Sequence, residues 1–95
     1  MATVEAVERR ISHVEGFPVT IRHPDGRNVR GDRTRMPQYR FRRALSDGAN
    51  VAAWKEGRFQ PTYPGFEVDV LGADGRRVHG ATLLGTVRGE HRSAQ

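Results

Sequence analysis

Valine alternates with polar residues on both sides of an Asp-Gly pair in two stretches of the chain, residues 19–31 and 68–80. The two stretches, VTIRHPDGRNVRG and VDVLGADGRRVHG, align at an offset of 49 residues. An Asp-Gly pair between alternating segments is a strong signal for a β-hairpin, because both residues tolerate the positive φ of a tight turn. We therefore expect two hairpins of similar build, arising either by duplication or by independent use of a common motif.

The start of the chain has a different periodicity. Its apolar residues recur at spacings of three and four, at Val4, Val7, Ile11 and Val14. This pattern predicts an amphipathic helix over residues 3–15. Thr3 suits the N-cap and Gly16 the left-handed position after the last turn. The same spacing would serve a short dimer seam, so a homodimer through helix 3–15 is an alternative to packing on the sheet.

The remaining pattern predicts short strands around a second helix. The expected elements are strands at 17–23, 27–32 and 38–45, a helix at 48–57 opened by Ser46-Asp47-Gly48, a loop at 58–65 ending in a Tyr63-Pro64-Gly65 turn, and strands at 66–71 and 76–83, the last extending as far as Val87. The element order is α-β-β-β-α-β-β. It favours a small single α+β domain with a mostly antiparallel five-stranded sheet and the Trp54 helix across one face, or else a small half-open barrel. The domain is expected over residues 1–88, with a flexible tail at 89–95.

Composition excludes several classes of function. The chain of 95 residues has no cysteine, which removes disulfides and thiolate zinc sites. No apolar stretch approaches the roughly 20 residues that span a bilayer, and the start lacks the apolar core of a signal peptide, so we expect a cytoplasmic protein without a membrane partner. The four histidines show no metal-ligand spacing, and Ser46-Asp47 is better explained as a helix cap than as a nucleophile. We expect a non-enzymatic protein without metal or cofactor.

Positive charge is concentrated in one part of the chain. The net charge of the chain is +5, and residues 22–43 alone carry a net +6, from eight arginines against Asp25 and Asp32. Arginine presents a planar fork of donors that matches phosphate oxygens and base edges. The window therefore indicates a nucleic-acid-binding face or, as an alternative, a face for an acidic protein.

Strand alternation assigns this charge to one face of the predicted sheet. If Tyr39 and Phe41 face the core, Arg40 and Arg42 face outward. The expected nucleic-acid-binding residues are Arg22, Arg27, Arg30, Arg33, Arg35, Arg40 and Arg42. In element order, residues 17–59 are similar to the arm-site-binding domains of phage and transposon integrases, whose three-stranded sheet enters a DNA groove. The second hairpin has no counterpart there. The resemblance implies double-stranded DNA as the ligand, bound mostly through phosphates.

A protein-interaction or assembly role is the second functional hypothesis. The loop at 58–65 contains Phe59 and Tyr63 and is followed by Phe66, and Tyr63 is expected to be exposed. Phe59, Tyr63 and Phe66 are therefore the predicted contacts for a protein partner.

Overall fold

The computed structural model describes residues 2–93, which form three helices and a two-stranded antiparallel sheet. The elements are α1 (Val4–Glu15), β1 (Val19–Arg22), α2 (residues 51–62), β2 (Glu67–Val70) and α3 (Leu84–Ser93). Helix α2 is α-helical at Val51–Trp54 and Gln60–Thr62 and π-helical at Lys55–Phe59. None of the helices described is long and apolar enough to cross a membrane.

Helix α1 agrees with the prediction at both ends. The Thr3 side chain accepts a hydrogen bond from the Ala6 N–H at 3.1 Å, and Gly16 takes a φ of 83°. The apolar stripe lies inside the domain, since Val4, Val7 and Ile11 expose 0, 1 and 0 % of their surface. The stripe is therefore core of the folded monomer, and a dimer seam cannot use it without unfolding the chain.

The predicted five-stranded sheet is wrong, and so is the half-open barrel. Within residues 2–93, only β1 and β2 pair as strands, in the register Val19↔Val70 to Arg22↔Glu67. The predicted strands at 27–32 and 76–83 are reduced to single bridges, Arg22↔Asn28 and Leu71↔Arg77. The Asp-Gly pairs do make tight turns, but the chain leaves the ladder after Val29 and Val78, whose N–H groups donate to the Ile21 and Val70 carbonyls. The three-stranded sheet on which the integrase resemblance rested is therefore absent from residues 17–59.

The segment 38–45 is extended without being a strand. Its alternation is as predicted, with Tyr39 buried, Phe41 half-buried, and Arg40 and Arg42 exposed. An extended chain anchored on a core shows the same period of two as a paired strand, so the pattern could not distinguish them. The edge of β1 that faces away from β2 does not pair with this segment, because there the Glu8 carboxylate accepts a hydrogen bond from the Ile21 N–H at 2.8 Å.

Helix α2 is displaced from its predicted position. It begins at Val51, where the Asn50 side chain caps the Ala53 N–H at 2.8 Å, and not at Ser46-Asp47-Gly48. It then continues to residue 62, through most of the predicted loop. The predicted turn that follows is confirmed, since Gly65 has a φ of 88° and the Phe66 N–H donates to the Tyr63 carbonyl at 3.2 Å.

The end of the chain is helical where a strand and a flexible tail were predicted. Helix α3 covers Leu84–Ser93, and both Leu84 and Val87, one turn apart, are fully buried. Residues 89–93 therefore belong to the folded domain. Residues 94 and 95 of the predicted tail lie outside the residues described.

The two aligned stretches fold alike. In each, the residue after Asp-Gly donates its N–H to the aspartate at 3.0 Å, Arg27 to Asp25 and Arg76 to Asp74. The strands that precede these turns pair with each other. Their register is symmetric. If each residue is replaced by its counterpart 49 positions away, the pair Val19↔Val70 becomes Val68↔Ile21, which is also a pair of the same ladder. A pseudo-two-fold axis therefore passes between Thr20 and Asp69.

The correspondence extends to the helices before the strands. In both halves the chain after the turn returns to the start of its own helix, and its carbonyls accept the free N–H groups of the first turn. These bonds are Val4 to Arg33 (3.0 Å) and Glu5 to Gly31 (2.9 Å), against Val51 to Thr82 (3.0 Å) and Ala52 to Gly80 (2.9 Å). Residues 2–36, the first half, and residues 49–84, the second half, are thus two versions of one substructure.

Candidate functional site

Three of the seven predicted binding arginines are paired with carboxylates. Arg22 contacts Asp69 and the Asn28 side chain. Arg27 lies 2.6 Å from Asp25, and Arg30 lies 3.0 Å from Asp32. The pKa of Asp25 is lowered, chiefly because its carboxylate accepts the Arg27 main-chain N–H and also the Arg27 guanidinium. The continuous basic sheet face predicted from alternation therefore does not form.

Arg33 and Arg35 are exposed on the return of the first half. The Arg33 guanidinium lies over the Phe66 ring at 5.2 Å from its centroid. Arg35 has a φ of 64°, a left-handed backbone conformation that arginine rarely adopts. Neither side chain has a carboxylate within salt-bridge distance among residues 2–93.

Arg40 and Arg42 do come together, with an arginine that was not predicted. They line a groove of about 520 Å³ between α1 and the extended segment, and Arg10 of α1 lines it from the other side. We call this the basic groove. Its apolar lining is Ala2, Ala6, Val7 and Tyr39, and its polar lining is Arg10, Gln38, Arg40 and Arg42. No carboxylate lines it, and these three arginines have no acidic partner in the described part of the chain.

Arg10 was missed because it lies in a part of the sequence with a net charge of −1. The signal was nevertheless present. Arg10 is three residues after Val7, so on a helix it lies beside the buried stripe, and its side chain borders whatever covers that stripe. The covering element is the extended segment, whose outward arginines then face the same space.

A buried polar network fixes the extended segment next to α1. The Tyr39 hydroxyl donates to the Glu15 carboxylate and accepts from the Trp54 indole N–H at 3.0 Å. The Leu45 N–H donates to Glu15 Oε1 at 2.9 Å. The pKa of Tyr39 is raised, first by burial and then by its bond to Glu15. These bonds at Tyr39 and Leu45 fix the main chain that bears Arg40 and Arg42.

Two further arginines belong to this network and are not available to a ligand. Arg58 Nη1 lies 2.7 Å from Glu15 Oε2, and Arg88 Nη2 lies 3.3 Å from Glu15 Oε1. Arg88 also contacts Asp47 at 2.7 Å. Glu15 itself is completely buried, so these guanidiniums balance its charge.

The aromatic residues predicted to bind a protein partner lie mostly in the core. Phe59 and Tyr63 expose 0 and 1 % of their surface, because α2 continues through the region predicted as a loop. Burial raises the pKa of Tyr63, whose hydroxyl has no hydrogen-bond partner among residues 2–93. Phe66 is half-buried beneath Arg33. The expectation of an exposed aromatic patch is therefore corrected.

The described residues contain no group of three His, Asp or Glu side chains placed to hold a metal ion. No family model matches the chain, and the comparisons with curated proteins and with solved structures found no significant match. The basic groove is thus the candidate site on its geometry alone.

Proposed function

We propose that the protein is a small non-enzymatic module that binds nucleic acid through phosphate contacts in the basic groove. The observation that carries the proposal is the convergence of Arg10, Arg40 and Arg42 on one groove without an acidic residue in its lining. Guanidiniums held together without counter-charges repel each other, and a polyanion relieves this repulsion. Their planar donor forks match phosphate oxygens in pairs.

The distribution of ion pairs supports this choice of site. Most arginines outside the groove that were predicted to bind now have neighbours of opposite charge, as at Asp25, Asp32 and Asp69. Such pairs weaken the attraction for a polyanion, because the local charge is already balanced. Arg10, Arg40 and Arg42, which line the groove, have no such neighbour among residues 2–93.

Salt titration tests the proposal. Fluorescence anisotropy with a labelled 12-nucleotide DNA, single-stranded and annealed, would be measured at several salt concentrations. Because binding releases one counterion for nearly every phosphate neutralised, three arginines predict a log–log slope of about −2 to −3. Failure to bind either DNA form more tightly than about 10⁻⁴ M at low salt would exclude the proposal.

A pair of double substitutions locates the site. Arg40→Gln with Arg42→Gln should keep the fold and flatten the salt slope by about 1.5, because both side chains are exposed and have no ion-pair partner among residues 2–93. Arg76→Gln with Arg77→Gln removes the same charge from the exposed turn of the second half and serves as the matched control. Equal loss of affinity in both variants would mean that only overall charge matters and that the groove is not the site.

A further inference from the structure

Most main-chain polar groups of the extended segment have no hydrogen-bond partner within residues 2–93. Within residues 2–93, none of the N–H groups of residues 38–44 donates a hydrogen bond. Among the carbonyls of 37–44, only that of Arg43 accepts one, from Arg58 at 2.6 Å. Main-chain donors and acceptors are obligatory hydrogen-bonding groups, so the segment is a row of positions available to water or to a ligand.

This row is held in place at several points. Met36 and Ala2 exchange two hydrogen bonds of 3.0 Å just before the segment. Tyr39 anchors its middle through the Glu15 network, and the Leu45 N–H bond to Glu15 closes its end. A ligand that pairs with the segment therefore has little chain to order, and the entropic cost of binding is small.

The unpaired main chain distinguishes between forms of nucleic acid. In a duplex the Watson–Crick edges pair with each other, whereas unpaired bases offer these edges, with both donors and acceptors, to a protein. The basic groove is concave and has arginines on both sides, so a duplex, which is convex, would touch its rim and leave the main chain of the segment unpaired. A single strand can enter the groove and place its phosphates next to Arg10 and Arg42.

A stacking surface lies at the same place. The Arg40 guanidinium lies over the Phe41 ring at 5.3 Å from the centroid, and Arg58 lies over the same ring at 4.5 Å. Arg40 is an exposed residue, and guanidinium planes support unstacked bases as aromatic rings do.

We infer that the basic groove holds one unpaired nucleic-acid strand, with its phosphates on the arginines and its base edges on the main chain of residues 38–44. This inference rests on the proposed function and replaces duplex DNA, which the predicted sheet had favoured, as the ligand.

The experiment uses the full chain with a labelled 12-nucleotide DNA of mixed sequence, alone and annealed to its complement. The single strand should bind at least about fivefold more tightly than the duplex, because only it offers free base edges. Amide hydrogen exchange of residues 38–44, followed by NMR, should slow on adding the single strand and stay unchanged on adding the duplex. The helical amides of α3 serve as an internal control, since both ligands should leave them alone.

The outcomes separate this inference from the proposed function. Tighter binding of the duplex, lost in the Arg40→Gln, Arg42→Gln variant, would overturn the inference and leave nucleic-acid binding intact. Binding of the single strand without slower exchange at residues 38–44 would also overturn it, because the main chain would then take no part. A Glu-rich peptide of the same length that slows these amides more than the oligonucleotide would point to an acidic protein instead. If neither DNA form binds, the proposed function itself fails.

Discussion

Glu15 of α1 and Arg58 of α2 form an ion pair of 2.7 Å that joins the two halves of the molecule. Glu15 is completely buried and the Arg58 side chain exposes only 17 % of its surface. The Tyr39 hydroxyl donates a hydrogen bond to the same Glu15 carboxylate, so the position of the extended segment depends on this ion pair.

Glu15→Gln should destabilise the protein by about 3 kcal/mol, because it leaves the Arg58 and Arg88 guanidiniums without their shared buried counter-charge. Urea unfolding followed by circular dichroism measures the change. Glu5→Gln is the matched control, since its pair with Arg9 is exposed and should be worth less than about 1 kcal/mol. Similar effects of the two substitutions would show that the network around Glu15 is not a stabilising centre.

Arg35→Gly should stabilise the fold by about 0.5 kcal/mol. The left-handed conformation costs a residue with a side chain about 1–2 kcal/mol, and the extra freedom of glycine in the unfolded chain offsets part of this gain. Arg33→Gly removes the same charge two residues away, at a position whose φ is not positive, and should destabilise the protein. Thermal unfolding of both variants tests whether the two changes in stability have opposite signs. A loss of stability in Arg35→Gly would contradict the prediction.

The change in stability on replacing glycine by alanine should depend on the backbone conformation of that glycine. Gly26→Ala and Gly75→Ala, at φ values of 91° and 80°, should each cost about 1–2 kcal/mol, although no atom lies within 4 Å of either added methyl group. Gly57 also has open space but lies inside α2 without a positive φ, so Gly57→Ala should stabilise the helix by about 0.5–1 kcal/mol. Equilibrium unfolding measures these changes. If Gly26→Ala and Gly75→Ala lowered the free energy of unfolding by amounts that differed several-fold, the two turns would not be equivalent.

Glu8 should make stability depend on pH. Burial raises the pKa of its carboxyl above the ordinary value of 4.5, despite the Ile21 N–H that favours the charged form. The folded state therefore holds this proton more tightly than the unfolded chain does, and its contribution to stability is complete below pH 4.5 and lost as the pH rises through the raised pKa. Glu8→Gln removes this titration but keeps an acceptor for Ile21. The stability of the wild type relative to this variant should fall as the pH rises above 4.5, and a constant difference would exclude the effect.

Helix α1 was predictable because its cap, its apolar stripe and its terminal glycine all lie within 14 consecutive residues, from Thr3 to Gly16. The sheet was not, since an Asp-Gly pair fixes a turn but says nothing of how far the strands continue beyond it. Helix α3 was hidden by Gly85 and Gly89, which weaken helix propensity. Its burial of Leu84 and Val87 depends on packing that the local sequence does not encode.

The candidate site was predictable only in part. The arginine-rich window identified Arg40 and Arg42, and alternation gave their outward direction. The sequence allowed Asp69 as a partner of Arg22 but could not decide it, because Asp69 is 47 residues away and becomes a neighbour only through the β1–β2 pairing. The contribution of Arg10 likewise required knowing which element covers α1.

Because the two halves repeat one substructure, each half can be compared with the other within the same molecule. The helix starts Val4 and Val51 correspond at an offset of 47 residues and the Asp-Gly turns at an offset of 49, so the second half is two residues longer between them, where α2 contains its π-helical segment Lys55–Phe59. What the two halves share is what folding demands, and Arg40 and Arg42 lie in the connection between the halves, outside the repeated substructure, where their side chains were open to selection for a different task.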